Sequence, residues 1–413
     1  MLDRHRITQA QLDEVASGVC SPTSMRLVRE CQLSRQLLLL RHLADAAPSD
    51  EALAVLDAAR DRDPAAAAWV LADPMIGAWT AQAVRKVRAG KPDQADLGQL
   101  AAVAAVAAAR AGVDADLAMT HRGDDDVMIP TVGLTSGLGR GGTLRLRVRG
   151  RELTISDGEA VRRQDLRRLT TPGEPVRSIT LDDVSPYRNV FNSPTRRRLG
   201  AADIERWQFL FAGAWDVLSR HADERILQTA ELVRTVVPLR DNDTPTMLSA
   251  TTRHVFGAFG TTMPSSPAGL AVTLVHEGSH SVLNGLIQLK PLFDPKDHAL
   301  YFAPWKSEAR PIWGLFHGTF AFLAVAEVMN SLRAEESAAE RQFAMVRGQL
   351  RPALDSLLEA ASLTDSGRQF ASLMEERLAS LEKVTVSRHA DEFATRALTD
   401  GRARWHKRSG RTK

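Results

Sequence analysis

Two histidines four residues apart, in His276-Glu277-Gly278-Ser279-His280, constrain this chain more than any other feature. On an α-helix, residues i and i+4 lie one above the other on the same face, so both imidazoles can close on one ion. The flanking residues predict that helix. Ser265-Ser266-Pro267 offers a hydroxyl N-cap followed by a proline in the first turn, where its missing N–H costs nothing. Leu270, Leu274, Val275, Val282, Leu283, Leu286 and Ile287 supply apolar faces, and Pro291 ends the run. The plain alternative is a chance His-Glu-x-x-His on a buried helix; the pattern itself is that of a metal site.

A catalytic metal normally takes a third protein ligand and keeps open positions. The metzincin extension would need glycine at 283 and histidine at 286, where the chain has Leu283 and Leu286. Glu308 and Glu327 are available carboxylates, but neither sits in a metallopeptidase third-ligand motif. His317 is the preferred third ligand: it opens an apolar helix and shares a face with Phe320, Ala321 and Ala324. His298 is the rival, in the polar Asp294-Pro295-Lys296-Asp297 loop. An isolated histidine on such a face is more often core, and His317 gains weight only beside the other two. Three imidazoles suit zinc-bound hydroxide and equally iron(II) taking a keto acid and dioxygen, so the donor set leaves the metal open. A dicarboxylate co-substrate would also need a cation for its far carboxylate. Arg310, seven residues before His317, could supply a bidentate fork, with Lys306 as the alternative. A surface salt bridge is the plain reading of such a loop arginine.

Composition narrows the partners. With 53 basic and 50 acidic residues the net charge is +3, too even for a general nucleic-acid binder. The basic end from Arg402 reads as a solvated cap. Cys20 and Cys31 are too few for a disulfide framework or a thiolate metal site, which suits a reducing cytoplasm. The first residues lead into polar sequence rather than an apolar signal core. The longest apolar run, Ala101 to Ala109, is far short of the roughly 20 residues of a membrane span. Neither nucleic acid nor membrane is expected as a partner, and the expected setting is cytoplasmic. Oligomeric state is not legible.

The expected fold is α+β, mainly helical, with one small antiparallel sheet near residues 128 to 156 and the HExxH helix in the C-terminal half. Three regions are expected: a helical one over 1–125, a β-rich segment and connector over 126–190, and a helical catalytic region over 191–413. Leu97 to Arg110 is an alanine-rich helix ended by Gly112, and Leu37 to Leu40 reads as core packing. Gly133, Gly137, Gly139, Gly141 and Gly142 crowd a stretch that fits neither a Rossmann nor a Walker loop. Thr143 to Ser156 alternates apolar and polar residues, the mark of a two-stranded ribbon around Gly150, with Arg145, Arg147, Arg149 and Arg151 on one face. Pro172 to Pro186 reads as connector, Ala201 to Arg220 and Glu224 to Val236 as helices, and Asp241 to Pro245 as a turn. Further helices follow at Gly314 to Leu332 and in the charged tail from Glu335.

Several separate motifs resemble one family. They are Leu12-Asp-Glu-Val-Ala-Ser-Gly-Val19, Cys31-Gln-Leu-Ser-Arg-Gln-Leu-Leu-Leu-Leu-Arg41, Asp73-Pro-Met-Ile-Gly-Ala-Trp79 and Ile129-Pro-Thr-Val-Gly133 in the N-terminal half. Leu181-Asp-Asp-Val-Ser-Pro-Tyr-Arg188, Leu274-Val-His-Glu-Gly-Ser-His280 and Phe316-His-Gly-Thr-Phe-Ala-Phe322 continue the likeness. Over roughly residues 7 to 335 the chain resembles the 2-oxoglutarate-dependent HExxH-type peptide β-hydroxylases of gene clusters for ribosomally made peptides. The resemblance implies iron(II), 2-oxoglutarate and dioxygen, with hydroxylation at the β-carbon of a residue in a precursor peptide. The chain departs from the family in having Gly278-Ser279 where bulkier residues, often Phe-Gln, are usual, and Glu308-Ala309-Arg310-Pro311 in place of Asp-Pro-Arg-Pro.

Two other functions fit parts of the sequence. A zinc metallopeptidase would use Glu277 to take the proton of metal-bound water. In an oxygenase Glu277 would instead orient a ligand imidazole or balance charge. A non-catalytic peptide-binding protein would use the arginine ribbon, accepting an acidic strand along its edge.

Overall fold

The computed structural model describes residues 5–18, 21–46, 50–121, 126–136, 142–156, 162–221, 230–241, 247–335 and 337–409. Cys20, Gly137, Gly139, Gly141, most of the Asp241 to Pro245 turn and the last four residues lie outside them. The described residues form twelve α-helices and several short sheets, so the fold is α+β and mainly helical. The chain divides into two compact units, each assembled from separated segments.

One unit takes residues 1–31, 209–233 and 264–413 and is helical. Its centre is the packed pair Pro267–Leu289 and Ile312–Leu332. Phe316 and Phe320 pack on Phe370 of the helix Asp365–Glu382, with ring centroids 5.5 and 5.6 Å apart. That third helix also holds the first. Gln369 donates to the Asp13 carboxylate at 2.8 Å, and Arg377 donates to the carbonyl of Ala16 at 3.2 Å, so Gln9–Ala16 is fastened near its middle and its end. Ile312–Leu332 is long and apolar enough to cross a membrane, and 67% of its most apolar stretch is buried inside the protein. Burial against neighbouring helices accounts for such a composition in a packed core helix.

The other unit takes residues 32–208 and 234–263. Its core is the helix Gln94–Ala111, capped by Asp93 and closed by Gly112 at φ 74°. Alanines on nearly every face let neighbours approach closely; a Cβ on Gly98 would come 2.9 Å from the carbonyl oxygen of Thr120. The expected ribbon is present. Thr143–Arg149 pairs antiparallel with Glu152–Ser156, Gly150 turns at φ 57°, and Arg145, Arg147 and Arg149 all face outward.

Several expectations are corrected. The described residues hold four sheets rather than one, and the largest is mixed, its strands ordered 249–251, 258–261, 235–238, 178–181, 167–170. Thr235–Pro238 lies between two parallel neighbours, so the helix expected over Glu224 to Val236 ends as a strand; residues 222–229 lie outside the described residues. Ser178–Leu181 makes the Pro172 to Pro186 connector partly sheet. Leu37 and Leu38 are 43% and 65% exposed, because four successive helical positions point all round the axis and only Leu40 is fully buried.

Candidate metal centre

The HExxH segment is helical as expected. Ser266 is extended and its hydroxyl accepts the N–H of Gly269 at 3.1 Å, with Pro267 in the first turn. The helix runs to Leu289, just short of Pro291. His276 and His280 meet on one face of it, Nε2 to Nε2 at 3.2 Å. Two nitrogens each about 2.0–2.1 Å from one ion, at angles between octahedral and tetrahedral, stand about 2.9–3.4 Å apart. The pair therefore has the spacing that sharing an ion requires.

His317 joins them from the neighbouring helix, its ring centroid 5.5 Å from that of His280. It lies inside Ile312–Leu332 and not at its start, because the helix begins before Gly314. Among the described residues no set of three His, Cys, Asp or Glu side chains already stands at metal-holding distances. The rings of His276, His280 and His317 are brought together as neighbours. The rivals are elsewhere: His298 and Glu308 are exposed, and Arg377 grips both oxygens of Glu327 at 3.0 and 2.9 Å.

Electrostatics favour the ligating form of the rings. Burial holds His276 at about 4, helped by the charge of Lys306, and burial alone holds His317 at about 4. His280 is driven well below its ordinary value by burial and then by His276, His317 and Lys306. All three are neutral at physiological pH, which is the protonation state that binds metal. Glu277 is 1% exposed. Ser279, also buried, returns its hydroxyl to the carbonyl of Val275 at 2.8 Å, so the small Gly278-Ser279 pair lies on a closed face of the helix.

Aromatic rings wall the histidines. Phe322 packs against His276 and Trp305 packs against Phe322, each with ring centroids 4.9 Å apart. Trp305 stands in no motif that marks it in sequence, whereas Phe322 closes the Phe316 to Phe322 motif of the family likeness. Arg310 comes from a two-residue ribbon, Leu300–Tyr301 against Arg310–Pro311, immediately before the His317 helix. Its guanidinium lies 5.7 Å from the ring centre of Trp313, whose own ring is 6.4 Å from that of His317. Arg310 and Trp313 thus form a connected side of the site, and Trp313 is 52% exposed. Lys306 is exposed.

No protein-family model matches the chain, and no curated protein matches it.

Proposed function

We propose that this chain is an iron(II)- and 2-oxoglutarate-dependent hydroxylase acting at the β-carbon of a residue in a ribosomally made precursor peptide. The observation that carries the reading is the approach of three neutral imidazoles, with a half-buried arginine seven residues before the third of them and connected to it through Trp313. The family likeness described above supports the choice of metal and co-substrate. His276, His280 and His317 would hold the metal, and imidazole donors suit iron(II). Bound there with 2-oxoglutarate and dioxygen, it would supply a two-electron oxidation that puts one oxygen into the peptide and releases succinate and carbon dioxide.

The protein's own groups bind, orient and exclude water. Arg310, backed by Trp313, presents a guanidinium fork suited to the far carboxylate of 2-oxoglutarate, with Lys306 as the alternative cation. Phe322 and Trp305 cover one side of the histidines and keep water from it. The exposed face of Trp313 offers the peptide an apolar surface next to His317. Incubation with a precursor peptide, iron(II), ascorbate and 2-oxoglutarate should add the mass of a single oxygen atom to the peptide, with succinate formed in step. Arg310→Ala should raise the KM for 2-oxoglutarate. Peptide shortening without oxygen gain would refute the reading.

The buried Glu277, next to a ligand histidine, favours a second reading as a zinc metallopeptidase. Zinc-dependent cleavage abolished by Glu277→Gln would establish it. A non-catalytic peptide-binding role would leave binding intact in His276→Ala.

A further inference from the structure

The sheet-bearing unit contains a groove of about 820 Å³, lined by Trp69, Val106, Leu153, Arg110, Arg151 and Arg168 among others. The floor is built around Trp69. Arg110 stacks on that indole with its guanidinium carbon 3.7 Å from the ring centre, and Arg234 stands 5.1 Å from the same centre. Arg234 is tied down by donating to the carbonyls of Ala72 and Trp69, at 2.7 and 3.0 Å. Among the described residues Arg110 has no such anchor. Its guanidinium is a flat plate held by one face, with its N–H edge left for a ligand.

Positive charge is in excess in the groove. Arg110 feels Arg168 and Arg151 as like charges and Asp63 as an opposite one, and among the described residues none of the three arginines makes a direct ion pair with a carboxylate. Among the described residues Arg168 donates only to the Ser178 hydroxyl, at 3.0 Å. The one lining acid, Asp63, already accepts the N–H of Ala66 at 2.9 Å as a helix cap. The repulsion of Arg110 by Arg168 and Arg151, only partly offset by Asp63, costs stability in the free protein and is relieved when an anion enters.

The backbone of the wall is strained. Thr131 lines the groove at φ 60°, in the turn closed by the N–H of Val132 on the carbonyl of Ile129. That position of a turn with proline before it takes glycine or asparagine at little cost, whereas a β-branched residue there is strained. Strain of this kind gathers at binding sites.

The volume falls in the range of roughly 300–1,000 Å³ typical of organic-ligand sites, and a lone inorganic ion would leave most of it empty. Apolar walls beside cations match a carboxylate carried on an apolar framework. We propose that this groove binds a peptide segment in which an acidic side chain sits next to an apolar one, the carboxylate meeting Arg110, Arg151 and Arg168 and the apolar group meeting Trp69, Val106 and Leu153. The source of that peptide rests on the reading as a peptide-modifying enzyme; the binding itself does not.

The test is binding by the full-length protein, without turnover. A short fluorophore-labelled peptide alternating glutamate and leucine should bind, with affinity falling as salt rises. Its glutamine-for-glutamate counterpart should bind at least about tenfold more weakly, as should the acidic peptide to Arg110→Gln or Arg168→Gln, since a charge-assisted hydrogen bond is worth about 1.5–3 kcal/mol. Circular dichroism checks that these variants fold. Binding that is unchanged in both variants, or equal for the two peptides, overturns the proposal. Displacement of the peptide by glutarate or inorganic phosphate at equal concentration would also overturn it, because the site would then serve a small anion. His276→Ala should bind the peptide normally, so a failed oxygenase assay and a failed groove are told apart.

Discussion

Trp305 lies against the bare Cα of Gly318, the residue that follows His317. A Cβ at position 318 would come 2.7 Å from Cε2 and 2.8 Å from Nε1 of the indole. The indole in turn packs on Phe322, which packs on His276. Gly318→Ala must therefore push Trp305 off the wall of the site. Overpacking of this kind costs about 1–3 kcal/mol, and turnover should fall at least severalfold. Trp305→Leu in the same chain should restore stability that the single change loses. Thermal unfolding of the four members of that cycle would show it, and additive effects would mean the two residues do not share the space.

The role of Glu277 separates the two enzymatic readings. A peptidase without its general base loses about a hundredfold to ten-thousandfold in rate. In the oxygenase reading no water has to be deprotonated, so Glu277→Gln should keep metal and measurable hydroxylation, while His276→Ala, His280→Ala and His317→Ala abolish turnover. Metal content and peptide mass measured together decide it. Retained iron with dead chemistry in Glu277→Gln would place the carboxylate in the reaction itself.

The histidines give the metal-free protein a pH dependence of known sign. His276 and His317 are held at about 4 against an ordinary 6.5. Between those values the unfolded chain binds protons that the folded chain does not, so stability is present above the upper value and lost as pH falls towards the lower. Melting temperature in the presence of chelator should therefore drop across that window, and His276→Phe should remove part of the drop. A curve identical to wild type would mean that His276 stays freely protonated in the fold.

Asp182 should act in the opposite direction. It is fully buried, Oδ1 accepts the N–H groups of Val184 and Ser185 at 3.1 and 2.8 Å, and burial pushes its carboxyl up to about 6. A raised folded value means the stabilisation is complete below the unfolded value of 3.8 and is lost as pH rises through about 6. Asp182→Asn keeps an acceptor oxygen and carries no charge. It should stabilise the protein above neutral pH by up to roughly 3 kcal/mol, at about 1.4 kcal/mol per pH unit of displacement, and give no gain near pH 4. Destabilisation at high pH would show that the ionised carboxylate is what the fold needs.

What sequence could reveal here followed from how local each signal is. The Ser266 cap, Pro267, the four-residue histidine spacing and Gly112 act within a few residues, and each landed where expected. The Thr143 to Ser156 ribbon was legible because alternation survives when one face is solvated. Thr235–Pro238 was not: all four residues are buried, leaving no alternation, and its partners at 178–181 and 258–261 are distant in sequence. The packing of Trp305 on Phe322 and of Phe322 on His276 escaped for a related reason, since both are contacts across the fold. That His317 lies near His280 was legible only beside the HExxH pair, because its own surroundings in sequence resemble any core helix. Leu37 and Leu38 misled because a run of leucines states composition and says nothing of direction.

The fastening of Gln9–Ala16 onto Asp365–Glu382 has a consequence for the order of assembly. During synthesis the first helix leaves the ribosome more than 350 residues before the helix that Asp13 and Ala16 bind. The segments 32–208 and 234–263 are complete much sooner, so the groove-bearing unit can finish folding while the histidine unit still awaits its last helices. Until Gln369 and Arg377 emerge, the buried side of the first helix, Leu12, Val15 and Ala16, lacks the helix it is fastened to. A chain stopped short of residue 365 would thus keep a finished groove and leave that apolar strip to chaperones.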